Sequence, residues 1–168
     1  MLFRSPGAAF RAQMHFLLTR YRQLHDLGLE HDARPLLCDF LFEKDRIFAA
    51  LNLADAELKV YEQYFELFRP QLHTPDLVIY LQATPEVLRK RLKKSAAVLG
   101  ERDISDDYLR AVVEAYEHFF FRYTASDLLV INTSEIDFVE RHEDLQGLLR
   151  RLSEPVKGTQ YFLPLGPT

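Results

Sequence analysis

No glycine-rich loop ending in Gly-Lys-Ser or Gly-Lys-Thr occurs in the 168 residues, so the usual backbone cradle for a nucleotide's phosphates is missing. Cysteine is nearly absent as well. The single one, Cys38, excludes an internal disulfide, fits a reducing compartment, and lies in an apolar run where a buried structural thiol is expected. Six histidines show no paired metal-ligand spacing with each other or with Cys38, so no metal site is expected. Gly-x-Ser-x-Gly is also lacking, which leaves covalent acyl chemistry without support. No apolar run approaches the roughly 18 residues of a membrane span, and residues 1–11 lack the apolar core and cleavage site of a signal peptide. A cytoplasmic protein with no membrane partner is expected. Neither sign of charge dominates: 21 basic and 25 acidic residues are mixed along the chain for a net charge of −4. That provides no basic face for nucleic acid, and a small-molecule partner fits better.

What is present is 48% apolar content, enough for one ordinary domain over 1–168 that buries about two-thirds of its unfolded surface. Residues 154–168, with Pro155, Gly158, Pro164, Gly166 and Pro167, read as a tail. Met14, Leu17, Leu18, Tyr21 and Leu24 are spaced for one face of a helix over 10–27 that Gly28 stops. A helix of about fifteen residues is expected between Asp55, as its N-cap, and Pro70. Thr84-Pro85-Glu86 opens another to about Lys94, and Ser105-Asp106-Asp107 caps one running through Tyr123. A last helix is expected over 142–152.

Three segments, 34–39, 76–82 and 127–132, are continuous apolar runs without alternation, the pattern of strands buried on both faces of a parallel sheet. Alternation of strands with helices implies a three-layer parallel α/β fold with flanking helices. Three strands are few for it, since such a sheet has about five.

The candidate chemistry clusters at the end of the first run. Asp39 stands where a buried strand would end, able to take a proton from an attacking hydroxyl, although a loop-cap aspartate bonding backbone amides is the commoner use of such a residue. Asp45-Arg46 is either a substrate-reading acid beside a structural base or a surface ion pair. Gln13 and Arg20, seven residues apart, share a helical face and could hydrogen-bond a heterocycle edge, with Arg22 nearby; two solvated side chains have the same spacing. The basic run 89–94, with Arg89 and Arg91, either clamps phosphates or complements a helix carboxyl end.

Taken jointly, the stretches Gln13–Arg22, Asp39–Ala49, Pro75–Glu86 and Asn132–Glu135 resemble the deoxynucleoside kinases, in order along residues 6–152. The resemblance implies a P-loop kinase-like fold that here lacks its first strand and phosphate loop, so an N-terminally truncated chain is expected. It implies Asp39 as general base toward a 5′-hydroxyl, Gln13, Arg20 and Asp45 as readers of the base, and Glu135 near the sugar. It places Arg89 and Arg91 at the phosphate lid. Where the family lid reads Arg-Gly-Arg this chain has Ser95-Ala96-Ala97, leaving Arg102 as the nearest catalytic cation, and Phe40 stands where many members have arginine. ATP and magnesium are the implied cosubstrate and ion, and neither is expected to bind well to this chain alone. A deoxynucleoside is the implied substrate, and a homodimer through helices the implied assembly. Beside this stands a non-catalytic nucleoside-binding or dimerising module. If the first strand is missing, the sheet must show a gap or re-pair beside strand 76–82.

Overall fold

A computed structural model describes residues 7–28, 35–99 and 104–164, the side chains of 96–99 apart. The chain divides into two compact units, Met1–Thr74 and Pro75–Thr168, each with its own apolar interior.

In the first unit every described element is helical. Helix α1 (Ala8–Asp26) turns Leu17 fully inward, and Phe10, Met14, Tyr21 and Leu24 pack on the same interior. Its stop is Gly28, which adopts φ +58°, a left-handed conformation that costs glycine little. A 3-10 turn (Phe42–Lys44) leads into helix α2 (Asp45–Asn52), and helix α3 (Asp55–Phe68) follows. Ala54, not Asp55, precedes α3; the free Ala54 N–H is met by Glu57 Oε2 at 3.3 Å, a carboxylate reaching back from the first turn. Leu17, Phe42, Ala49, Tyr61 and Phe65 form the core, with the Phe42 and Phe65 rings stacked at 5.1 Å. Burying each large side chain of this kind contributes about 1.5–3 kcal/mol.

The strand expected over 34–39 does not form across the described residues 35–39. Leu36, Leu37 and Cys38 are exposed, Leu37 by 90%, so the thiol is not the buried one its apolar neighbours suggested. The physical reason is pairing: a strand needs a neighbour for its N–H and C=O groups, and among the described residues of this unit there is none.

The second unit contains the parallel sheet, in the order β1 (Leu77–Gln82), β2 (Asp127–Asn132), β3 (Thr159–Phe162). Strand β2 is central, and Leu128, Leu129, Val130 and Ile131 are all buried, as a strand covered on both faces requires. Register pairs Tyr80 with Val130 and Tyr161, and Leu81 with Ile131 and Phe162. On the first of these faces Tyr80 stacks on Phe120 at 4.2 Å, from helix α5 (Asp106–Phe121), whose N-cap Ser105 hydroxyl accepts the Tyr108 N–H at 3.3 Å. On the other, helix α6 (His142–Leu152) lays Leu148 against Leu129 and Ile131. Helix α4 (Pro85–Leu99) runs from the end of β1.

Strand β3 lies within the stretch 154–168 that the sequence marks as a tail. Its signal was faint: Gly158 at φ +64° turns the chain, and Thr159, Tyr161 and Phe162 are residue types that favour strands. Its ladder starts where Leu128 N–H reaches Gly158 O at 3.0 Å. Residues 8–10 are the first turn of α1 and make no strand, so among the described residues β1 is paired on one side only. The outcome is thus a free flank on β1, with the three strands drawn from a different set than expected. No helix among the described residues is long and apolar enough to cross a membrane.

Candidate functional site

The most concentrated polar group of the first unit is built around Asp45. At the first position of α2, its side chain points into the core and is fully buried. Leaving a carboxylate there unpaired would cost several kcal/mol, and three side chains from two other helices meet it. Gln13 of α1 donates from Nε2 to Asp45 Oδ2 at 2.7 Å and to its backbone carbonyl at 3.2 Å. Tyr61 of α3 donates its hydroxyl to the same Oδ2 at 2.9 Å. Arg20 of α1 forms an ion pair from Nη1 to Oδ1. Gln13, Leu17 and Arg20 are four and three residues apart, so the helix that buries Leu17 delivers the amide and the guanidinium to one side.

Arg20 keeps about a quarter of its side chain exposed, 26%, and its guanidinium lies between two rings, 5.5 Å from the Phe16 centroid and 5.7 Å from that of Phe40. Phe40 is the residue after Asp39, so the exposed Asp39 carboxylate is carried on a segment braced against Arg20. Burial, and then the Arg20 guanidinium, pull the Lys44 ammonium below its ordinary value, while the Asp39 and Asp45 carboxylates pull it the other way. Burial, followed by the Asp45 carboxylate, holds the Tyr61 phenol far above its ordinary value, so it is a donor at every accessible pH. Arg46 takes no part: it turns outward to Glu62 at 2.8 Å and Glu66 at 3.5 Å.

The structure therefore brings Gln13, Arg20 and Asp45 together. Tyr61 was missed by sequence reading, which marked only the ends of its helix and singled out no residue inside it. A tyrosine on the inward face of a helix still needs a partner for its hydroxyl, and that was the available signal.

The remaining candidates lie in the second unit. Glu135 is an exposed residue of the turn after β2, and its backbone carbonyl accepts from Arg141 at 2.9 Å. Arg89 is ion-paired with Asp106. Arg91 donates to the Thr133 hydroxyl at 2.9 Å and to the carbonyls of Thr133 and Ile136 at 2.5 and 3.0 Å. Thr133, 1% exposed, also bonds the Gln82 carbonyl at 2.9 Å, so Arg91 ties α4 to the carboxyl edge of β1 and β2. Arg102 lies outside the described residues. Among the described residues no three His, Cys, Asp or Glu side chains gather into a group that could hold a metal ion.

The chain is 27% identical over 153 residues to a deoxyguanosine kinase of Bacillus subtilis, covering 87% of this chain and 73% of the relative. It is 26% identical over 158 residues to a deoxyadenosine kinase of Lactobacillus acidophilus, covering 84% and 74%. A deoxyadenosine kinase of Dictyostelium discoideum is 29% identical over 136 residues, 78% of this chain and 54% of that protein. The sequence model of the deoxynucleoside kinase family matches residues 5–157, and the chain belongs to that family.

Proposed function

We propose that these residues recognise a purine deoxynucleoside in a kinase that phosphorylates its 5′-hydroxyl from ATP. The observation that carries the reading is the convergence of Gln13, Arg20 and Tyr61 on the buried Asp45 carboxylate. Such a network has a cost that a core of apolar side chains avoids, and it leaves an amide oxygen and guanidinium N–H groups available to a heterocycle. The relatives' names, deoxyguanosine kinase and deoxyadenosine kinase, support a purine. Asp39, exposed and one residue from the ring under Arg20, is the proposed acceptor of the 5′-hydroxyl proton.

The residues present do not fit a triphosphate. Phosphoryl transfer relies on a backbone cradle and fixed cations, whereas these 168 residues contain no glycine-rich loop with Gly-Lys-Ser or Gly-Lys-Thr. Arg89 and Arg91 are both engaged on protein groups. Binding without turnover is therefore proposed for these 168 residues on their own. Isothermal titration calorimetry tests this. Deoxyguanosine or deoxyadenosine should bind while ATP with magnesium gives no heat of binding, and failure of all four deoxynucleosides to bind would overturn the reading.

A further inference from the structure

Strand β1 has β2 on one flank and, among the described residues, nothing on the other. Which backbone groups this leaves open follows from a single bond. The Gln82 carbonyl accepts the Thr133 N–H at 2.8 Å, so Gln82 turns its backbone groups toward β2. The N–H and C=O of one residue point to the same flank of a strand, and successive residues alternate, so Val78 and Tyr80 turn the same way as Gln82. Leu77, Ile79 and Leu81 therefore aim their N–H and C=O groups at the open flank. Their side chains are the exposed ones of the strand and stand on one face of the sheet. Native edges are usually blunted by a charge, a proline or a bulge. The strand Leu-Val-Ile-Tyr-Leu-Gln contains no charge and no proline.

We propose that the open flank of β1 pairs with β1 of a second copy of this chain, antiparallel, about a two-fold axis at Ile79. Register is what selects this occupant. With Ile79 opposite itself, Leu77 of each copy stands opposite Leu81 of the other, and residues so opposed exchange both of their N–H···O bonds. Every outward backbone group of both strands is then used. A shift that puts Tyr80 opposite itself sets Leu77 across from Ala83, past the end of the strand, and loses part of the ladder. The axis is perpendicular to the sheet, so faces match: Leu77, Ile79 and Leu81 of the two copies form one apolar strip. No like charges meet, since Asp76 falls opposite Gln82. The edge is about 20 Å long, and a strip of that length one strand deep falls short of the roughly 800 Å² per partner of a stable complex. The dimer is therefore weak and reversible.

Sedimentation equilibrium and amide exchange on the whole chain test this. Between about 10 µM and about 1 mM the weight-average mass should climb from one chain toward two. Over the same range the amides of Leu77, Ile79 and Leu81 should gain about tenfold protection, while those of Val78 and Tyr80, already turned toward β2, change less. Ile79→Lys sets two ammonium groups face to face at the axis and should return the sample to single chains throughout. Ile79→Thr keeps a β-branched residue and should still dimerise. A wild type that stays a single chain at the highest concentration overturns the proposal. So does a dimer that survives Ile79→Lys, which would put the contact on the helices instead. The alternating exchange pattern needs no variant and decides the matter if Ile79→Lys fails to fold; its absence in a dimeric sample also overturns the proposal.

Discussion

Asp45 and Arg46 are neighbours in the chain and do not pair with each other: Asp45 points into the core toward Gln13, Arg20 and Tyr61, and Arg46 points out toward Glu62 and Glu66. Successive helical positions differ by about 100°, so an acid and a base side by side in sequence are delivered to different surroundings.

Asp45→Ala removes the acceptor of three side chains and leaves Arg20 without its partner. Breaking a buried pair costs about 3–5 kcal/mol, and the lower end applies here because Arg20 is partly solvated. Urea unfolding should show the midpoint falling accordingly, with Asp45→Asn losing less.

Arg46→Ala should cost under about 1 kcal/mol, since its pairs with Glu62 and Glu66 are solvent-screened. A part of that loss should persist in high salt, because the guanidinium also lies 4.9 Å from the Phe65 ring centroid. Unfolding in low and high salt separates the two contributions.

Thr133→Val keeps shape and deletes the hydroxyl that accepts from Arg91 and donates to the Gln82 carbonyl. Two partly buried partners lose a bond, and about 2 kcal/mol of stability should go with them. Denaturant unfolding reads this directly, and a change below about 0.5 kcal/mol would mean the tie between α4 and the sheet edge carries no weight.

Tyr80 gives a pH dependence. Burial, then the Glu117 carboxylate, push its phenol up to about 12. The folded state therefore holds this proton more tightly than the unfolded chain, and the stabilisation is complete below pH 10 and lost as pH rises toward 12. Unfolding curves for the wild type should weaken across that window more steeply than those for Tyr80→Phe.

Gly158→Ala tests the turn into β3. A Cβ there would meet nothing within 4 Å, so the cost is purely that of φ +64° in an alanine, about 1–2 kcal/mol. Thermal unfolding should show a fall of a few degrees.

Helices α1 and α5 were legible from apolar side chains at three- and four-residue spacing, α3 and α4 from capping residues and proline, and α6 and β2 lie where the sequence placed them, whereas the eight-residue α2 was not read. The apolar run 34–39 misled because hydrophobicity records what a segment can bury, whereas strand formation also needs a neighbouring ladder. Strand β3 was obscured for the complementary reason. At the sheet margin it is half-exposed, so it lacks the apolar run that marked β2. In the candidate site, helical spacing put Gln13 and Arg20 on one face, but only tertiary packing could reveal that α2 and α3 deliver Asp45 and Tyr61 to them. Arg91 shows the opposite limit: a basic run in sequence does not say which of its members the protein uses for its own carbonyls.

The three strands should also differ in how often they open. Among the described residues β2 is bonded on both sides with four successive side chains buried, while β1 is bonded on one side and leaves Leu77, Ile79 and Leu81 exposed. Amide protons of β2 should exchange with solvent slowest, at rates set by unfolding of the whole unit, and those of β1 faster through local fraying. The turn that Arg91 grips therefore hangs from the slowest clock in the sheet, and the entry to α4 from a faster one.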